Sequence, residues 1–260
     1  MANIGTGCSI SPFDGRDLYF KPEEHGVPLE NKGPIKLPWD PINQGGVPCC
    51  VSVAVVTCME ILDVQKPPFE QLAVLFHYYN TPKDGITGNV NLSDAFDTAV
   101  NTGVCPLKFH NPPFTAAGSV KKPTPEAFAE AKKFCIVKYD QRRRRFGYRR
   151  INENDVDDWR TVLSAGMGVA FAFYLTEGYY DIKKENDYVH GNIGGRPSID
   201  HITHAVVAVD YDNTKEALLI RDSKGVDNFK DGHWWLPYSL VRHPRFIADA
   251  FTAIKITYND

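Results

Sequence analysis

The chain has 260 residues, enough for one large domain or two small lobes around a real core. Hydrophobic residues make up 43%, which excludes wholesale disorder, and the formal net charge of −3 offers no general attraction to nucleic acid or anionic membranes. No apolar run approaches the roughly 18 residues that span a bilayer, and residues 1–11 lack a basic stretch followed by an apolar core, so a cytoplasmic protein is expected.

Residues 1–43 are rich in proline, glycine and charge, punctuated by Phe13, Tyr19, Phe20 and Trp39. They predict an extended arm without regular structure of its own, with residues 1–35 as the arm proper and 36–260 as the folded domain. Pro38 and Pro41 lead into a loop at Gln44. Residues 50–62 are apolar almost all round. The β-branched start has strand propensity, but the length predicts a buried helix. Pro67 and Pro68 stop it, and Leu72, Leu75, Phe76 and Tyr79 predict a second helix over 69–79. A third helix is expected from an N-cap at Ser93 to Val100, closed by Gly103. Five prolines in 106–125 mark the boundary between lobes. A short helix over 125–133, a strand over 134–138 and a helix over 154–163 follow. Strands are then expected over 169–175, 204–211, 217–221 and 247–258, with a polar loop over 179–198. Helices first and strands second give an α+β fold with two lobes, helical over about 36–120 and β-rich over about 121–260.

The six cysteines are Cys8, Cys49, Cys50, Cys58, Cys105 and Cys135. No CxxC or zinc spacing appears, and without a signal peptide reduced thiols are expected. Cys50 stands where the apolar helix begins, and a helix N-terminus favours thiolate over thiol. Gln44, six residues upstream, is placed to fold its amide back toward a developing oxyanion. His204 supplies a base, and Asp222 a carboxylate to orient it. The bland alternatives are a buried structural thiol at Cys50, a loop role for Gln44, and Cys49 as nucleophile. The spacing from Gln44 favours Cys50. His201 and His204 sit at a loop-to-strand entry without an HExxH pattern, so neither a metal nor another cofactor is expected. His77, His110 and His233 have no evident partners in the sequence. Arg142 to Arg145, with Arg149 and Arg150 and the interleaved Phe146 and Tyr148, form a basic run. It fits a phosphorylated or nucleic-acid partner or a solvated hairpin tip, and the acidic chain favours the tip.

The segment Gln44-Gly-Gly-Val-Pro-Cys-Cys-Val-Ser-Val-Ala54 and the segment Ile202-Thr-His-Ala-Val-Val-Ala-Val209 together resemble the glutamine–cysteine and histidine motifs of the papain-like cysteine peptidases. Arg221-Asp-Ser-Lys-Gly225 is similar to a weaker form of the family's asparagine segment. The resemblance covers residue 36 to the C-terminus in the right order, and is closest to bacterial and archaeal members lacking a long prosegment. It implies a helical lobe and an antiparallel β-barrel-like lobe with the site between them, and a peptide or protein substrate. It also implies Gln44 as oxyanion donor, Cys50 as nucleophile, His204 as base and Asp222 as orienting residue. Val51 departs from the usual aromatic, Pro48 from a glycine or acid, and Val47 from a disulfide cysteine. Asp222 replaces asparagine, and Lys224 replaces the tryptophan that shields it. Trp234 and Trp235 are candidates for that shield. The departures keep two other readings open: an acyl transferase or deamidase using Cys–His–Asp, and an inactive module that binds peptides. With 43 residues before Gln44, an inhibitory helical domain does not fit, and residues 1–35 are expected to restrain the site as a blocking arm.

Overall fold

The computed structural model describes residues 7–14, 17–21, 33–85, 88–138, 147–180, 182 and 203–258. Helix α1 (Cys50–Asp63) runs through the centre, and thirteen of its fourteen residues are buried. That explains its apolar character on every side: it packs on helices and on a sheet at once. Around it lie α2 (Val74–Asn80) and α3 (Leu92–Asn101). Short helices α4 (Ala116–Ser119) and α5 (Pro125–Ala131) follow, then β1 (Phe134–Ile136), β2 (Tyr148–Arg150), α6 (Val156–Ser164), β3 (Val169–Tyr174) and α7 (Glu177–Tyr180). The chain ends with β4 (Thr203–Asp212), β5 (Ala217–Arg221), β6 (His233–Pro237), α8 (Tyr238–Val241), β7 (Ile247–Ala253) and β8 (Ile256–Tyr258). No helix among the described residues is long and apolar enough to cross a membrane.

Six strands pair antiparallel in the order β2-β7-β3-β4-β5-β6, and β1 pairs with β8 in a small second sheet. The pleat sends alternate residues of β4 into two cores. Ala205, Val207 and Val209 pack with α1 and the other helices. Val206 and Ala208 pack with Trp159, Phe171, Phe173 and Trp234 on the other face. The mixed helical and antiparallel architecture is the α+β fold expected from the order of elements.

Several local expectations are corrected. The second helix begins at Val74 rather than at 69, because α1 draws the preceding backbone away. Glu70 N–H donates to Asp63 Oδ2 at 2.8 Å, and Leu72 N–H donates to Glu60 Oε1 at 2.9 Å. Helix α3 is capped by Asn91, not Ser93: the Asn91 side chain accepts from Asp94 N–H. Gly103 closes it at φ +77°, and a Cβ there would meet the Ala131 carbonyl. The expected strand over 247–258 is two strands, and β2 and β6 were not foreseen. Arg149 and Arg150 are not at a solvated tip. They are buried in β2, and Arg150 pairs with Asp17 and Asp249 at 3.0 Å each. Arg142 to Arg145 and His201 lie outside the described residues. His77 is a packing residue, buried with its Nε2 2.9 Å from the Ala95 carbonyl.

Candidate active site

Cys50 is the first residue of α1, with Cys49 at the cap position and no acidic side chain in the first turn. The positive end of the helix therefore faces the sulfur without an internal counter-charge. His204 is the second residue of β4, held opposite Phe173 of β3 in the sheet register. Asp222 directly follows β5, its N–H donating to the Gly232 carbonyl at 3.0 Å. The fold thus brings residues about 150 positions apart in sequence to one place. All three side chains are buried, Cys50 and His204 completely.

His204 Nε2 lies 3.0 Å from Asp222 Oδ1. With that nitrogen donating to a carboxylate, Nδ1 is left to face the thiol. Nδ1 makes no aligned hydrogen bond, while ring and sulfur lie close enough for each to shift the other. Burial pushes the Cys50 thiol up, but hydrogen bonding and charge from His204, with backbone donors at Gly7 and Ala205, more than offset it and leave the thiol below its ordinary range. Burial pushes His204 down, but the Asp222 charge and hydrogen bond, then Cys50, carry it up to about 9. Burial likewise raises Asp222, and His204, the Trp234 hydrogen bond and Lys224 bring it below the usual carboxylate range. In such a set each group favours the charged form of its neighbour: Asp222 that of His204, and His204 that of Cys50.

The other five cysteines behave oppositely. Burial pushes Cys58 and Cys105 up to about 12 and raises Cys8, Cys49 and Cys135 as well. Cys50 alone is lowered, which separates it from its vicinal neighbour on chemistry as well as on spacing.

Gln44 is fully buried in the turn before α1. Its Nε2 donates to the Val47 carbonyl at 2.7 Å, and that carbonyl also accepts from Cys49 N–H at 2.8 Å. Its Oε1 accepts from the Ser223 hydroxyl, and its N–H donates to the Ser223 carbonyl. Gln44 therefore ties the turn that delivers Cys50 to the loop that delivers Asp222.

Trp234 and an N-terminal segment over the site were among the sequence expectations, and Tyr179 was not. Asp222 Oδ2 accepts from Trp234 Nε1 at 2.8 Å and from the Tyr179 hydroxyl at 3.2 Å. Trp234, not Trp235, covers the carboxylate: Trp234 is completely buried, whereas Trp235 lies on the opposite face of β6 under Lys215. No sequence pattern marked Tyr179. At the N-terminal side, Gly7 lies with its backbone against the Cys50 sulfur and Cys8 lies beside it. Val90 N–H donates to the Gly7 carbonyl at 2.8 Å and Ser9 N–H to the Val90 carbonyl at 2.9 Å. On the other side Thr203 Oγ1 donates to the Cys8 carbonyl at 2.7 Å. Residues 7–11 thus form a strap held against Cys50.

No protein-family model matches the sequence, and no curated protein is significantly similar to it. Solved structures are similar in fold. Xylellain, a cysteine protease from Xylella fastidiosa, superposes with a TM-score of 0.80 at 21% identity, over 100% of this chain and 98% of that one. Bromelain from Ananas comosus, in complex with the E64 inhibitor, gives 0.61 at 15% identity over 84% and 94%. The cysteine protease and lectin-like domains of Cwp84 from Clostridium difficile give 0.63 at 14% identity over 96% and 54%. The chain has the papain-like cysteine protease fold.

Proposed function

We propose that this papain-like chain is a cysteine peptidase that hydrolyses peptide bonds in peptides or proteins. The Cys50 thiolate attacks the scissile carbonyl carbon and forms a tetrahedral oxyanion. The Cys50 backbone N–H and a Gln44 amide hydrogen stabilise that charge. The imidazolium of His204 gives its Nδ1 proton to the leaving amine, and the C–N bond breaks to leave a thioester. His204, now neutral, takes a proton from water as the water attacks the thioester, and the acid product leaves with the thiolate restored. Asp222 holds the ring in the tautomer this exchange needs.

The observation that carries the reading is the opposed displacement of two buried groups: one thiol of six lowered, and its neighbouring imidazole raised to about 9. A structural thiol in a dry core moves the other way, as Cys58 does. Residues 1–35 form the arm of this reading, 36–260 the peptidase domain, and the strap at residues 7–11 restrains the site until displaced.

The test uses the full chain and a thiol-directed epoxide, with peptide cleavage followed by mass spectrometry. Wild type is expected to be labelled at Cys50 and to cleave peptides, and Cys50→Ala to do neither while keeping its fold. Turnover retained by Cys50→Ala would exclude the assignment. The charged Asp222 favours one further reading, glutamine deamidation or acyl transfer through the same thioester. Ammonia release without chain cleavage would distinguish it.

A further inference from the structure

We infer that Tyr179 is a positioning residue for the Cys50–His204 pair, anchoring the second oxygen of Asp222 while its ring walls the imidazole; the inference rests on the peptidase reading above. Tyr179 lies on α7, just after β3, and is almost completely buried. Its ring centroid is 5.8 Å from that of His204, 5.6 Å from Phe173 and 5.9 Å from Trp234. Its hydroxyl reaches Asp222 Oδ2 at 3.2 Å.

The reason lies in how a buried carboxylate differs from an amide. An ionised carboxyl group is acceptor-only, with about four lone-pair sites. Here each is taken: Oδ1 accepts from His204 Nε2 at 3.0 Å and Ser223 N–H at 2.7 Å, and Oδ2 accepts from Trp234 Nε1 at 2.8 Å and the Tyr179 hydroxyl. An asparagine would turn an NH2 toward one of these donor pairs. Tyr179 and Trp234 thus suit an aspartate, and they account for a carboxylate at a position completely removed from water. Four donors also fix the plane of the carboxylate, and the plane fixes the direction of the Nε2 hydrogen bond and so the aim of Nδ1 at the sulfur. Burial and the Asp222 charge keep the Tyr179 phenol protonated, so it remains a donor throughout the working pH range.

The hydroxyl also moderates the charge that His204 feels. A donor on Oδ2 draws negative charge away from the imidazolium, so its removal leaves the ring harder to deprotonate. The other titratable groups facing this cluster are Cys50 on α1, with Cys8, Cys49 and Tyr78 beside it, Tyr180 beside Tyr179, and Lys224 and His233 near Asp222. None changes when only the hydroxyl is removed.

Tyr179→Phe in the full chain keeps the ring and deletes the hydroxyl. NMR titration of the His204 ring, identified by its absence in His204→Asn, is expected to move its midpoint up by about half a pH unit relative to wild type. The kcat for peptide hydrolysis is expected to fall about tenfold at unchanged KM, the lower end for loss of one hydrogen bond to a charged group. A purely packing role for Tyr179 moves neither quantity, because phenylalanine fills the same space. A His204 midpoint equal to or below that of wild type would overturn the inference. If wild type cleaves no peptide, the peptidase reading fails by itself, and the NMR comparison still decides what Tyr179 does.

Discussion

Asp222→Asn keeps the shape of the orienting side chain and removes its charge. Two opposite unit charges about 4 Å apart attract by about 4 kcal/mol at an effective dielectric of about 20. That corresponds to roughly a thousandfold in protonation. In the native protein this attraction first cancels the burial that depresses His204 and then lifts it to about 9. Without it only Cys50 opposes burial, the largest single influence on the ring, and His204 is expected to titrate below its ordinary value of about 6.5. The alkaline limb of the peptidase pH–rate profile then falls from about 9 to below about 6.5, and alkylation of Cys50 at pH 7 slows on the order of a hundredfold as the imidazolium is lost. The fold suffers too, because the asparagine NH2 orphans a buried donor such as Trp234 Nε1, at a cost of about 1–3 kcal/mol. The sign of the pH dependence follows from the raised histidine. Its stabilisation is fully present below about 6.5 and is lost as pH rises through about 9, so the Tm gap between wild type and variant narrows at the alkaline end. Ring NMR and thermal melts across pH measure both effects. A variant whose His204 still titrates near 9 would refute the argument that Asp222 sets its charge.

Gly7→Val places a side chain where even a Cβ would lie 1.9 Å from the Pro48 carbonyl oxygen, so the strap is expected to leave. Iodoacetamide should then label Cys50 at least tenfold faster on the order expected for a group moving from complete burial to access; an unchanged rate would show that the strap does not restrain the site. Cys49→Ala should keep labelling and turnover within about twofold and cost about 1 kcal/mol of stability, since that thiol is held protonated. Loss of labelling would move the nucleophile to Cys49. Arg150→Met removes the partner of Asp249, which is completely buried, and leaves an uncompensated carboxylate at a cost of about 3–5 kcal/mol. For a chain of this size the Tm should fall by roughly 10 °C in a thermal melt, and an unchanged Tm would exclude the buried ion pair as a support.

What the sequence disclosed and what it hid divide along physical lines. Helix α1 was legible because its signal is local: a long apolar run with no glycine or proline to interrupt it. The candidate triad was legible because a nucleophile, a base and an orienting carboxylate occur in an order that a two-lobed fold can close. The start of α2 was hidden because Glu60 and Asp63 compete for the backbone of residues 70–72, and such competition depends on a tertiary contact. Arg150 looked solvated because it follows a basic run, and only the sheet register brings Asp249 to it. Tyr179 was hidden for the same reason, since its hydroxyl acts on Asp222, 43 positions away; an arm over the site was expected, but not that Gly7 would be the residue against the Cys50 turn. The buried charge at Asp222 links these cases. An isolated carboxylate in a dry core would simply take up a proton. It stays ionised because the charge and hydrogen bond of His204, the Trp234 hydrogen bond and the Lys224 charge hold it down, with Ser223 and Tyr179 donating to its remaining lone pairs. The residue type at position 222 is read from the sequence, but its charge, and with it the state of the thiol, is a property of the charges and donors that the fold assembles around it.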